Sequence, residues 1–276
     1  MHEQAFRFGS ARHLVGVVGL PAVIDHGVGV LFLNAGMVYR IGPFRLHVEL
    51  ARRLNGLGYP TLRFDMSTIG DSGASGQRLS RPEQVVADVR DAMELLQQQS
   101  GCTRFVLFGL CSGAQNAHSA AHADSRVVGA LFLDGYGHRT LGQRVRHYLP
   151  RLLSVSSWRH RFSRHATVNA AGAPHPAEPM FVVEPLPPKV VRGQLGEMLQ
   201  RGLKLDFIYS GGVARYFNHI RQFRECFGRL ADHPNMSASH FKETDHTYVL
   251  SGDRQRLLDH VEQWMQRHFP VTRPGM

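Results

Sequence analysis

A mostly parallel α/β sheet covered by helices on both faces is the fold class that this sequence predicts. Three observations carry it. Short β-rich apolar runs alternate with amphipathic helical stretches along most of the chain. Val28-Gly29-Val30-Leu31-Phe32-Leu33 is apolar throughout, as expected for a central strand buried on both sides. The run Val106-Leu107-Phe108 ends in Gly109-Leu110-Cys111-Ser112-Gly113 and continues into an Ala-rich helical pattern, the layout of a sharp strand-to-helix turn.

The elements follow in order. Phe6 to Leu20 reads as two antiparallel opening strands, and Val28 to Leu33 as the central strand. Pro43 to Leu57 reads as a helix burying Phe44, Leu46, Leu50 and Leu54, stopped by Gly56 and Gly58. Pro60 to Asp65 is the next strand. Pro82 opens a helix that buries Val85, Val86, Val89, Met93, Leu95 and Leu96. Phe105 to Phe108 is a strand, and Val127 to Leu133 another, ending at Asp134. From 138 to 203 the strand pattern stops. Arg139, Arg144, Arg146, Arg151, Arg159, Arg161 and Arg164 crowd the first half, and a Pro-rich run from Pro174 to Pro188 follows. Long excursions of this kind in compact domains usually serve function, so a helical lid is expected here, the alternative being a surface excursion away from the site. The core then spans 1–137 and 204–276. Its second part holds a strand at Leu205 to Tyr209, a helix from Val213 to Gly228, a strand from Met236 to Phe241 and a closing helix from Asp253 to His268.

The turn around Cys111 is the most specific signal. A chain that reverses from strand to helix in one residue brings the positions two before and two after into contact, so both must be small. Gly109 and Gly113 meet that demand only if Cys111 is the central residue. Around Ser112 the flanks would be Leu110 and Ala114, and Leu110 would clash. The pattern therefore nominates a thiolate at a helix N-terminus, the alternative being a buried structural cysteine.

The bulk numbers set limits. The chain has 276 residues, 43% of them hydrophobic, enough for a sizeable core. No apolar run approaches the roughly 18 residues of a membrane span, and Met1 to Ala5 lacks the plan of a signal peptide. Three cysteines without metal-like spacing point to free thiols in a cytoplasmic setting, with neither metal nor cofactor expected. The net charge of +10, nearly all from arginine, suits an acidic partner such as a carrier protein or coenzyme A, and equally suits solubility alone. Nucleic acid is disfavoured for lack of a zinc-finger, RNP or helix-turn-helix pattern. A homodimer is compatible with the sequence.

Four places together resemble the α/β-hydrolases: Asn34-Ala35-Gly36-Met37 after the third strand, Arg63-Phe64-Asp65-Met66-Ser67 with the turn up to Ser72, the Cys111 elbow, and Asp245-His246-Thr247 after the last strand. More narrowly, these segments are similar to the hydrolases found beside exosortase and exopolysaccharide genes and to acyl-processing enzymes of secondary metabolism. The resemblance implies a catalytic histidine after the last strand. Among 17 histidines, His246 stands at that place, ahead of His240, His233, His118 and His122. It also implies an oxyanion hole built from the N–H groups of Ser112 and Met37. The family's usual acid slot follows the Leu205–Tyr209 strand, where Ser210-Gly211-Gly212 carries no carboxylate. The second slot, after the preceding strand, holds Asp134, which is expected to orient His246. Its alternative role is a turn cap, and Asp245 is a weaker candidate.

A thiol nucleophile favours an acyl-thioester substrate, because thiolate–thioester exchange is nearly isoenergetic whereas an alkoxide is a poor leaving group. The expected activity is a thioesterase-like acyl transfer to water through an S-acyl Cys111. An acyltransferase using an alcohol or amine acceptor is the first alternative, and a non-catalytic binding protein on a hydrolase shell is the second.

Overall fold

The computed structural model describes residues 1–23, 27–143, 145–146 and 186–270. Eight strands form one sheet: β1 (His2–Phe8), β2 (Leu14–Leu20), β3 (Val28–Leu33), β4 (Thr61–Asp65), β5 (Arg104–Leu110), β6 (Val127–Leu133), β7 (Lys204–Ser210) and β8 (Met236–Phe241). Their spatial order is β1-β2-β4-β3-β5-β6-β7-β8. The opening hairpin β1–β2 is antiparallel and joins β4 antiparallel, and every pair from β4 to β8 is parallel.

Alternation of side chains across the pleat feeds two cores, one per face. In β5, Phe105 and Leu107 enter the first core, whereas Val106, Phe108 and Leu110 enter the second. The first core is closed by α2 (Arg81–Ser100), α3 (Ser112–Ala123), α4 (Pro188–Gln200) and α5 (Arg221–Phe227), and the second by α1 (Leu46–Gly56) and α6 (Ser251–His268). α2 starts at a capping box in which Ser80 and Glu83 exchange hydrogen bonds, and it ends where Gly101 turns left-handed at φ 74.

Two expected helices are corrected. The segment at Pro43 does not run into α1 as one helix. Pro43–Arg45 is a single 3-10 turn in which Phe44 (φ 47) and Arg45 (φ 65) are left-handed, so Phe44 is 53% exposed rather than buried. The expected helix from Val213 to Gly228 is broken into a 3-10 turn at Gly211–Val213, a loop, and α5. Tertiary contacts win there: the Phe217 ring stacks on Tyr209 at 3.5 Å, and Tyr216 donates its hydroxyl to the Asp134 carbonyl at 2.7 Å. Val86 is only partly buried on α2.

Of the insertion expected at 138–203, residues 144 and 147–185 lie outside the described residues, with five of its nine arginines and five of its seven prolines. Its last part, α4, packs on α3 and buries Val191, Leu195, Met198 and Leu199 in the first core. Arg146 is paired with Glu225 at 2.9 Å, and Arg139 donates to the Arg215 carbonyl.

Candidate active site

The site forms at the carboxyl end of the parallel strands, where α/β sheets place their ligand crevices. β5 delivers Cys111 into a strained turn (φ 58, ψ −117) that opens directly into α3. The small-residue rule reads directly from the contacts. A Cβ on Gly109 would run into the Gly113 backbone, and one on Gly113 would come within 2.6 Å of the Asn34 carbonyl. The elbow is thus wedged between its own helix and the loop after β3.

Cys111, His246 and Asp134 meet. His246, on the turn after β8, places Nδ1 at 2.7 Å from Asp134 Oδ2, and its ring hydrogen-bonds the Cys111 thiol. With Nδ1 committed to the carboxylate, Nε2 is the nitrogen that faces sulfur. Asp134 has a left-handed backbone (φ 50) and is fully buried at its side chain. Its carboxylate also accepts the Ser210 N–H and the Ser210 hydroxyl, each at 2.6 Å. Hydrogen bonding to Asp134, and then to Cys111, pushes the His246 imidazole up to about 10. The hydrogen bond from His246 holds the Cys111 thiol below the usual thiol range, with the Ser112 N–H adding to the effect. Burial does the opposite to Cys102 and Cys226, whose thiols are pushed up. Of the three thiols, only Cys111 sits in surroundings that favour the nucleophilic thiolate.

Ser210-Gly211-Gly212 shows why no acid stands after β7. A Cβ on Gly211 would strike the Lys242 carbonyl, and one on Gly212 would crowd His246, with His246 Cβ at 2.8 Å. The turn is reduced to glycine so that the histidine loop can lie against it.

The loop after β3 is tied down from both sides. Asn34 is buried and donates Nδ2 to the Val38 carbonyl (2.9 Å) and Asp65 Oδ1 (3.1 Å), while its Oδ1 accepts the Met66 N–H (2.8 Å). Asp65 also accepts the Arg40 N–H at 2.6 Å and binds the Arg40 guanidinium, which bridges to Asp71 at 2.6 Å. The side chain of Met37 points to solvent, 58% exposed. Its N–H makes no hydrogen bond among the described residues, and neither does that of Ser112 apart from its contact with the Cys111 thiol.

The rival residues have other places. His118 is buried behind the elbow, where burial pushes it down to about 4, and it pairs with Gln194 at 2.8 Å. His122 pairs with Glu197, and His240 sits in β8 against Phe217. Asp245 spends its carboxylate on the N–H groups of Thr247 and Val249 and on the Thr247 hydroxyl. Ser210, Tyr216 and the Ser112 hydroxyl were not singled out as side chains of the site from sequence. The one available signal was a serine standing where the acid was sought.

The thiol opens on a cavity of about 570 Å³ whose walls are mostly apolar, among them Tyr136, Val191, Tyr216, Cys226 and Phe227. Among the described residues no cluster of His, Cys, Asp or Glu is arranged to hold a metal ion, and no helix is long and apolar enough to cross a membrane.

The chain matches no protein-family model, and no curated protein matches it. Solved structures do match over nearly its whole length. An esterase from Pyrococcus furiosus is 13% identical, with a TM-score of 0.61 over 96% of this chain and 92% of that one. The esterase domain of a Rhodothermus marinus protein is 19% identical, with a TM-score of 0.58 over 96% and 98%. A Xanthomonas campestris α/β serine hydrolase without a lid is 14% identical, with a TM-score of 0.57 over 99% and 96%. The fold is that of the α/β-hydrolases.

Proposed function

We propose that this α/β-hydrolase-fold chain is an acyl-transfer enzyme that forms an S-acyl intermediate on Cys111 from an acyl thioester and releases the acyl group to water. The observation that carries the reading is the contiguous set Cys111–His246–Asp134 at the mouth of an apolar cavity. The esterase and hydrolase names of the structural neighbours are consistent with carbonyl chemistry at such a place.

The steps follow from the protonation states. The lowered thiol and the raised imidazole both favour the thiolate–imidazolium form of the pair, from which the reaction starts. Sγ attacks the thioester carbonyl carbon, and the C=O π pair moves onto oxygen. The oxyanion is received by the N–H groups of Ser112 and Met37, each such donor being worth about 3 kcal/mol. Collapse of the tetrahedral intermediate breaks the bond to the leaving sulfur, which takes the Nε2 proton of His246. Neutral His246 then deprotonates a water as it attacks the S-acyl carbon, and a second collapse returns the Cys111 thiolate and frees the acid. Asp134 orients the ring through Nδ1 and stabilises the imidazolium at each stage. A thiolate leaving group favours a thioester donor, which suits coenzyme A or a carrier protein. The net positive charge of the chain would favour either acidic carrier.

Intact-protein mass spectrometry after incubation with an acyl thioester tests the reading. The expected result is an adduct of acyl mass on the parent chain and none on Cys111→Ala. Absence of any adduct from thioesters, with rapid turnover of alkyl and aryl esters, would overturn it.

A further inference from the structure

A serine beside the nucleophile, itself barred from acting as one by its flanks, needs a reason. Its hydroxyl is not idle: the Gly36 N–H donates to Ser112 Oγ at 2.8 Å. This bond crosses from the first turn of α3 to the loop after β3. In that loop the Val38 N–H returns to the Ala35 carbonyl at 3.0 Å, closing a turn with Gly36 (φ 57) and Met37 at its centre. Of the three central amides, Val38 is spent within the turn, Gly36 is spent on Ser112, and Met37 alone is left to donate elsewhere.

Gly36 is the residue that could lose this arrangement. Nothing lies within 4 Å of where its Cβ would be, so packing does not restrain it, and glycine exchanges readily between backbone conformations. A rotation of the peptide planes around Gly36 would re-aim the Met37 N–H. Asn34 anchors the start of the loop and clamps its Val38 carbonyl, and Asp65 holds its far end through Arg40. Among the described residues, Ser112 Oγ is the side-chain group that holds the Gly36 amide itself.

We infer that the Ser112 hydroxyl is the positioning group of the oxyanion loop: by holding the Gly36 amide it aims the Met37 N–H at the carbonyl oxygen of an acyl group on Cys111. The inference rests on the acyl-transfer reading above. It gives the second residue of the Cys-Ser pair a role through its side chain, separate from the N–H that it offers as a donor.

Two reactions of the same sulfur separate this role from a general structural one. S-acylation by an acyl N-acetylcysteamine thioester passes through an oxyanion. Alkylation by iodoacetamide does not: Sγ bonds to the methylene carbon, and iodide leaves with the electron pair. Both are followed by intact mass on the full-length parent, Ser112→Ala and Ser112→Thr. Ser112→Ala should acylate about 10²-fold more slowly at saturating thioester, the scale of a misplacement near 1 Å. Its half-saturation concentration and its alkylation rate should stay at the parental values. Ser112→Thr, which keeps the hydroxyl, should recover most of the acylation rate. Parental acylation by Ser112→Ala overturns the assignment alone, as does an equal fall in both reactions, which would place the serine in support of the thiol. A parent chain that alkylates but never acylates overturns the acyl-transfer reading and this assignment with it.

Discussion

Two buried aspartates at adjacent strands of this sheet have the same companions and opposite settings. Asp134, just past β6, accepts a serine hydroxyl from Ser210 at 2.6 Å and an imidazole nitrogen from His246 at 2.7 Å. Asp206, within β7, accepts a serine hydroxyl from Ser237 at 2.6 Å and an imidazole nitrogen from His260 at 2.7 Å. Neither carboxylate is exposed to solvent. The difference lies in what the histidine does next. His246 gives Nδ1 to its acid and turns Nε2 toward Cys111, at the open end of the sheet. His260 gives Nε2 to its acid from the face of α6, with its ring edge-on to Phe241 at 5.7 Å. An Asp–His–Ser set is therefore not a site in itself. A strand end, a strained nucleophile and a cavity distinguish the first set from the second, which ties α6 and β8 to β7.

The comparison is broken most sharply at His246. His246→Ala should lower S-acylation by about 10²–10⁴-fold, the range of a lost general acid–base. The pH dependence carries more information than the rate. In the parent chain the thiol is held low by His246, so iodoacetamide alkylation should be half-maximal below the reference thiol pKa of about 8.5. In His246→Ala that support is gone, and burial and the Asp134 charge are opposed only by the Ser112 N–H, so the midpoint should rise toward the reference value or above. A midpoint that does not move would separate His246 from the thiol. On the alkaline side, thioester turnover by the parent should decline as His246 loses its proton near 10.

Asp134→Asn comes next in size. The acid is the main cause of the raised imidazole, so removing its charge lets His246 fall toward its ordinary value and brings the alkaline limb of turnover down with it. The rate should fall by less than the ~10⁴-fold that the matching change costs a serine triad, because a thiol ionises with far less help than a hydroxyl. A fall of that full size would mean that the aspartate does more here than orient a ring.

Which parts of this were legible in sequence follows from where the information resides. The mostly parallel sheet and its two-faced core were legible from apolar runs, which β3 and β6 display over their full lengths, whereas the order of the strands is a finding of the structure. The meeting of Cys111, His246 and Asp134 is traceable to chain order and to a missing carboxylate after β7. The turn at Pro43–Arg45 was not legible, because Phe44 and Arg45 adopt left-handed backbone without the glycine that would announce it. The break before α5 was hidden for another reason: Tyr216 and Phe217 satisfy a helical pattern locally, yet their rings are claimed by Asp134 and Tyr209 from other strands. The role of the Ser112 hydroxyl and that of Ser210 were hidden because hydrogen bonds to segments distant in the chain leave no periodic trace.

The smallest expected effect on chemistry, and the cleanest contrast, belongs to the second aspartate. Asp206→Asn keeps the shape of the side chain but turns one acceptor into a donor, so either Ser237 or His260 loses its partner in a buried place. The cost should be about 1–3 kcal/mol, that of a buried polar group left unsatisfied. For a domain of this size each kcal/mol lowers Tm by about 2–4 °C. S-acylation of Cys111 by the folded protein should stay at the parental rate, and so should the pH profile of alkylation, since no hydrogen bond of the Asp206 set reaches the site. Thermal unfolding and acylation measured on the same preparation decide the point. If Asp206→Asn slows acylation at temperatures where it is fully folded, the two carboxylates are coupled through β7, and the division between a chemical and a structural Asp–His set does not hold.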